Sequence, residues 1–114
     1  MIVNEFLQHT AELYELQEYF YQKVRPLAVC ADGTTLSIQA SEVHYCTPRC
    51  NSDRTDSYVQ VEVWRVSKEV PEDWNEYGDT ENNPYAYIPV ELVDSFVESC
   101  GGIVGRFEII SIEF

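Results

Sequence analysis

The chain reads as an α+β domain in the order α-β-β-β-α-β, a mostly antiparallel sheet with two helices packed on one face. Three observations predict this. An amphipathic opening segment runs to Pro26, a second helical pattern follows Pro89, and between them lie an Asp-Gly turn and a stretch of regular alternation. At 114 residues, positions 1–114 make one domain with a single modest core.

The first segment, "NEFLQHTAELYELQEYFYQKVRP", places Phe6, Leu7, Leu13, Leu16, Phe20 and Val24 close to one helical stripe. Asn4 suits the N-cap, Glu5 the first turn, and Lys23 and Arg25 the C-terminal end of the dipole. Pro26 stops the helix. In "LAVCADGTTLSIQAS" two apolar stretches flank Asp-Gly, a tight-turn signal between strands. This predicts a hairpin with Leu27, Val29, Leu36, Ile38 and Ala40 inward. "SEVHYCTPRCNSDRTDS" has no sustained period and reads as a loop. "YVQVEVWRV" then alternates, with Val59, Val61 and Val63 on one side and Gln60, Glu62 and Trp64 on the other.

Residues 67–85 form a long acidic connection with one helical turn expected at 71–75. The stretch "IPVELVDSFVESCGG" predicts the second helix. Pro89 fits its first turn, Val90, Val93, Phe96 and Val97 form its apolar face, and Gly101 or Gly102 caps it. "IVGRFEIISIEF" reads as a final strand, with Phe107, Ile109 and Ser111 opposite Ile110 and Ile112.

Hydrophobic residues make up 45% of the chain, and eight Tyr, five Phe and two Trp exclude a disordered acidic tail. No apolar run approaches a membrane span, and residues 1–25 carry glutamates where a signal peptide has an apolar core. The expectation is a soluble protein of the bacterial host cytoplasm, with no membrane partner. Its four cysteines are then reduced thiols, although an even count permits two disulfides in an exported protein.

Charge is the strongest signal. Twenty acids oppose seven bases for a formal −13, and residues 69–114 hold eleven of those acids against the single base Arg106. Such a field repels nucleic acid and attracts basic surfaces. The bases Arg49, Arg54, Arg65 and Lys68 are countered by neighbouring acids, so no direct nucleic-acid binding is expected.

The heptad "HYCTPRC" offers His44, Cys46 and Cys50 as metal ligands, with Cys30 or Cys100 to complete a tetrahedral zinc site. Zinc knuckles usually present two close cysteine pairs, and this spacing lacks the second. The expectation is therefore partly buried thiols beside a surface histidine, with no metal and no cofactor. A zinc deaminase needs His-x-Glu and Pro-Cys-x-x-Cys, which are absent. Cysteine-hydrolase chemistry has only His9 and His44 to serve as base, and "CGGIVG" follows a helix instead of opening one. No catalytic residue is identified, and a non-enzyme is expected.

Acids on the second helix instead suggest imitation of nucleic acid. Glu91, Asp94 and Glu98 recur every three or four residues, giving a row at intervals of about 5–6 Å. The acidic connection, with Glu72, Asp73, Glu76, Asp79 and Glu81, is expected to extend that row. Trp74 and Tyr77, with Tyr85 and Tyr87 nearby, would anchor a partner.

The stretches "VCADGTTLSIQASEVHYCTPR" and "YAYIPVELVDSFVESCGGI" resemble small acidic uncharacterised proteins of phages and other mobile elements of bacteria. The likeness covers about half of the chain. It rests on the Asp-Gly turn and its following strand, the loop Tyr45 to Arg49, and the Pro-Val-Glu helix ending in Gly-Gly. Such proteins include anti-CRISPR and anti-restriction inhibitors. The resemblance and the charge together imply an inhibitor that docks a DNA-mimicking surface on the nucleic-acid groove of a host defence complex. The competing expectation is a small adaptor that binds a protein through the aromatic loop 71–87, with charge serving only solubility.

Overall fold

A computed structural model describes residues 1–11, 15–17, 22–79 and 83–104, which form an α+β fold. Helix α1 (Val3–His9) is followed by strands β1 (Glu15–Gln17), β2 (Gln22–Val24), β3 (Ala28–Val29), β4 (Thr35–Gln39) and β5 (Gln60–Trp64). A 3-10 helix at Glu72–Glu76, strand β6 (Tyr85–Pro89) and helix α2 (Val90–Ser99) complete the order. Strands β3-β4-β5-β6 make one antiparallel sheet in sequence order, and β1-β2 make a separate antiparallel pair. The predicted final strand lies beyond residue 104, outside the described residues, apart from an antiparallel bridge between Ile103 and Cys30.

The opening helix is much shorter than its stripe predicts. It ends at Thr10, whose hydroxyl and backbone N–H both donate to the Phe6 carbonyl, at 2.7 and 3.0 Å. The hydroxyl competes for a helical acceptor. Asn4 is not the N-cap but lies inside α1. Its carboxamide donates to the Tyr58 carbonyl at 3.0 Å and accepts the Tyr58 N–H at 2.8 Å, pinning α1 to the start of the β5 segment. The true N-cap, Ile2, supplies no side-chain acceptor. The first N–H of the helix, that of Val3, is met from elsewhere, by Asp94 of α2 at 2.9 Å.

Register sets the core face. The pairs Ala28 with Leu36, Ile38 with Val63, and Val61 with Ile88 put fully buried side chains together. The strand before the Asp-Gly turn is therefore one residue out of phase with expectation. Ala28 and Cys30 point inward, while Leu27 and Val29 are only partly buried. Val59 is 55% exposed and precedes β5 instead of joining its inner face. Pro89 is the N-cap of α2, one position earlier than predicted. That helix ends as expected: Gly101 and Gly102, at φ 91 and 84, donate to the Glu98 and Val97 carbonyls at 3.0 and 2.8 Å. This crossed pair is a Schellman cap, which requires left-handed backbone after the last turn.

Arg25 is fully buried instead of capping a helix in solvent. Its guanidinium donates to the carbonyls of Ala40 and Leu7 and to the Ser52 hydroxyl. Its backbone is held by Gln39, which accepts the Arg25 N–H at 2.8 Å and donates to the Arg25 carbonyl at 3.1 Å. A buried charge costs far less when all around it are acceptors.

Candidate acidic interface and the His44 loop

The residues of the predicted acidic site divide into two groups. Glu72, Asp73, Glu76 and Asp79 are exposed around the 3-10 helix, and Glu91 and Glu98 are exposed on α2. Glu81 lies outside the described residues. Trp74 is not a surface anchor. It is wholly buried, with its ring edge-on to Tyr85 at 5.2 Å and to Phe96 at 5.3 Å. Tyr85 is buried with it. A large indole flanked by polar residues in a 3-10 turn is the one side chain there able to seat the turn on the core. Tyr77 is half-buried, and Glu76 and Asp73 add to the desolvation that raises its hydroxyl pKa.

Docking through Trp74 also fixes where the acidic turn sits. It abuts α2 on the Phe96 flank. At about 100° per residue, Asp94 and Glu98 lie roughly 160° around the helix from Phe96. The connection therefore does not extend the α2 row. Glu5 of α1 instead adds to the field around Asp94. Burial raises the Asp94 pKa, and repulsion from Glu98, Glu91 and Glu5 raises it further, against the Val3 N–H that lowers it. The four carboxylates thus share one field across two helices. Asp94 is half-buried and serves the N-terminus of α1, whereas Glu5, Glu91 and Glu98 are exposed. The sequence carries no signal for Glu5 in this group, because its proximity depends on how α1 meets α2.

Among the described residues the exposed cations are Arg49, Arg54, Arg65 and Lys68, fewer than the exposed acids. Arg25 is interior, and Lys68 is 3.7 Å from Asp32. The Arg49 guanidinium lies 5.5 Å over the Tyr45 ring.

The heptad from His44 to Cys50 is a packed loop. His44 is 3% exposed, not on the surface as expected, and its Nδ1 lies 2.6 Å from the Ser41 hydroxyl. Burial first, then Arg25 and Arg49, push its pKa down to about 4. Cys46 is buried and its thiol donates to the Ser41 carbonyl at 3.1 Å, while burial raises its pKa. A neutral imidazole and a protonated thiol are suited to filling space and bonding the loop backbone. Cys30 is distant in role. Its thiol contacts Cys100 and is pushed up to about 11, by burial first. Among the described residues no cluster of three or more His, Cys, Asp or Glu could hold a metal, so His44, Cys46, Cys50 and Cys30 are not brought together as a zinc site.

No helix among the described residues is long and apolar enough to cross a membrane. No family model, curated protein or solved structure matches the chain.

Proposed function

We propose that the chain is a non-enzymatic inhibitor of a host defence system, of the anti-CRISPR or anti-restriction type carried by phages. It docks an acidic face on the nucleic-acid-binding groove of its target. The observation that carries this reading is the run of Glu91, Asp94 and Glu98 along α2, held against α1 by the Val3 N–H bond to Asp94, with Glu5 adding to the field around Asp94. Duplex DNA presents one charge per roughly 1.7 Å of axis. Carboxylates spaced by about 5–6 Å along α2 are a sparser version of such a row. Lysines and arginines that line a phosphate groove would meet them, and the net charge of −13 would speed encounter at low salt. The acids of the 3-10 turn contribute to the overall field from another flank and not as a continuation of the row.

The test is capture of a partner from host lysate by tagged protein, followed by elution with either salt or duplex DNA. A captured protein that binds duplex DNA, and is released by both eluents, supports the reading. The decisive variant reverses Glu5, Glu91 and Glu98 to Lys and leaves Asp94 in place, because Asp94 holds the Val3 N–H. That variant should stay folded and lose the partner. Retention of the partner by the folded variant, or a partner indifferent to DNA, removes the acidic face from the function.

A further inference from the structure

A second surface, independent of the acidic face, lies where the loop before β5 meets β6. Tyr45 and Tyr87 are 47% and 38% exposed, with ring centroids 5.8 Å apart and planes tilted by 43°. The backbone builds this pair. Tyr87 N–H donates to the Tyr45 carbonyl at 3.1 Å, and Tyr45 N–H donates to Glu62 Oε2 at 2.9 Å. Tyr87 has φ 53, a left-handed conformation uncommon for a bulky aromatic residue, beside a register shift between Val61 and Val63. Strain of this kind persists only where surrounding structure enforces it, and it concentrates at binding sites. Here it accompanies a large ring left in solvent. Val43 and Val59 are also exposed, at 44% and 55%; Val43 stands two residues before Tyr45, and the Val59 N–H bonds the carbonyl of Thr47, two residues after it.

We propose that this patch binds a proline-rich peptide segment that carries a basic residue. Two tilted tyrosine faces with valines beside them match the flat rings of a polyproline helix. That helix makes no internal hydrogen bonds and leaves its carbonyls free for tyrosine hydroxyls. Arg49 over Tyr45 shows within the chain that a tyrosine face here accepts a guanidinium, and a ligand arginine would take the Tyr87 face or displace Arg49. Charge favours a basic flank: the patch holds one cation, Arg49, against Glu42, exposed next to Val43, and Glu62, which supports Tyr45, and the whole chain carries −13. The same charge opposes the other occupants. Nucleic acid would be repelled, and a second copy would bring −13 against −13. A patch of four side chains is also far smaller than the roughly 800 Å² per partner of a stable protein interface.

The experiment titrates the full chain with a short synthetic proline-rich peptide containing one arginine, followed by calorimetry. The expected result is saturable binding with a Kd below about 1 mM. The same peptide with glutamate in place of arginine should bind at least ~10-fold more weakly. The double variant Tyr45→Ser with Tyr87→Gly should also lose at least ~10-fold in affinity. Glycine suits the φ of 53 at position 87, so that loss is separable from unfolding by a thermal melt. Absence of saturation, equal affinity for the two peptides, or unchanged binding by the folded double variant overturns the proposal. So does a concentration-dependent dimer in sedimentation that the double variant abolishes, which would assign the patch to self-association. Glu5, Glu91 and Glu98 are untouched throughout, so the outcome is independent of the acidic face.

Discussion

His44 makes the stability of this protein depend on pH in a calculable way. Ser41 Oγ lies 2.6 Å from His44 Nδ1 and accepts the Val43 N–H at 3.1 Å. Burial beside Arg25 and Arg49 keeps the imidazole neutral in the folded state. The folded pKa of about 4 lies below the ordinary 6.5 of the unfolded chain. Between those values the unfolded state binds more protons, so stability is fully present above about pH 6.5 and falls as pH drops toward 4. At ~1.36 kcal/mol per unit the whole effect is roughly 3 kcal/mol, of which about 2 kcal/mol is lost between pH 7 and 5. For a chain of this size about 2 kcal/mol corresponds to a fall in Tm of roughly 8 °C. The assay is thermal melting of the wild type and His44→Asn across that range. Asparagine keeps an acceptor near the Nδ1 position for Ser41 but cannot titrate. It should be less stable at neutral pH because of the smaller side chain, and the gap to wild type should close on acidification. Glu62 and Asp94, whose raised pKa values act in the opposite sense, are present in both proteins and cancel in the difference. A gap that stays constant with pH would refute the assignment of a low-pKa neutral His44.

Replacing Arg25 by Met should cost about 3 kcal/mol or more in urea denaturation, because the buried carbonyls of Ala40 and Leu7 lose their donor. Trp74→Ala should cost about 3–5 kcal/mol in the same assay, the loss expected of a core aromatic and several times that of an exposed anchor. Gly101→Ala should lower stability by at least ~1 kcal/mol, measured by melting. Its φ is 91, and the added Cβ would stand 2.7 Å from the Ala31 Cβ. Asp94→Asn keeps an acceptor for the Val3 N–H while removing one charge from a repulsive group. Since the folded pKa of Asp94 is raised, the ionised form is disfavoured by folding, and the destabilisation appears as pH rises through that pKa. The variant should gain about 0.3 kcal/mol near pH 7, and the gain should vanish below about pH 3, where the wild-type group is protonated in both states.

The legible parts of the fold were those with one strong local signal. The Asp-Gly turn, the alternation of Val61 and Val63, the apolar face of α2 and its double-glycine cap all appear as the sequence implies. The opening helix fails because Leu13, Leu16, Phe20 and Val24 satisfy a helical stripe in a segment otherwise rich in Tyr and Phe, which also suits strands. Tertiary demand decides the outcome at Arg25, whose burial between Gln39, Ala40 and Ser52 is incompatible with a solvent-exposed helix end. Leu27 to Cys30 is apolar at every position, so no pattern could choose its inward parity; the pairing of Ala28 with Leu36 does. Within the candidate site, exposure of Glu91 and Glu98 followed from helix geometry. The burial of Trp74 and the arrival of Glu5 did not, since both depend on how separate elements dock.

That docking also separates what the acids do for the fold from what they are free to do outside it. Asp94 is committed to α1, where it replaces the cap that Ile2 cannot supply, and it does so at the cost of a raised pKa. Among the described residues, the carboxylates of Glu5, Glu91 and Glu98 make no hydrogen bond or ion pair. They add repulsion around Asp94, although Glu5 and Glu91 each sit in the first turn of a helix, where the dipole favours a carboxylate. The strain is bearable because α1 is pinned twice more, by the Asn4 carboxamide on Tyr58 and by the Met1 ammonium on the Ile103 carbonyl. If the charge served only solubility, it could be spread over the surface, where carboxylates more than a Debye length of about 8 Å apart scarcely interact. Concentrating it where it raises the pKa of a structural residue carries a stability cost at Asp94, and a basic partner that neutralises the cluster would relieve it.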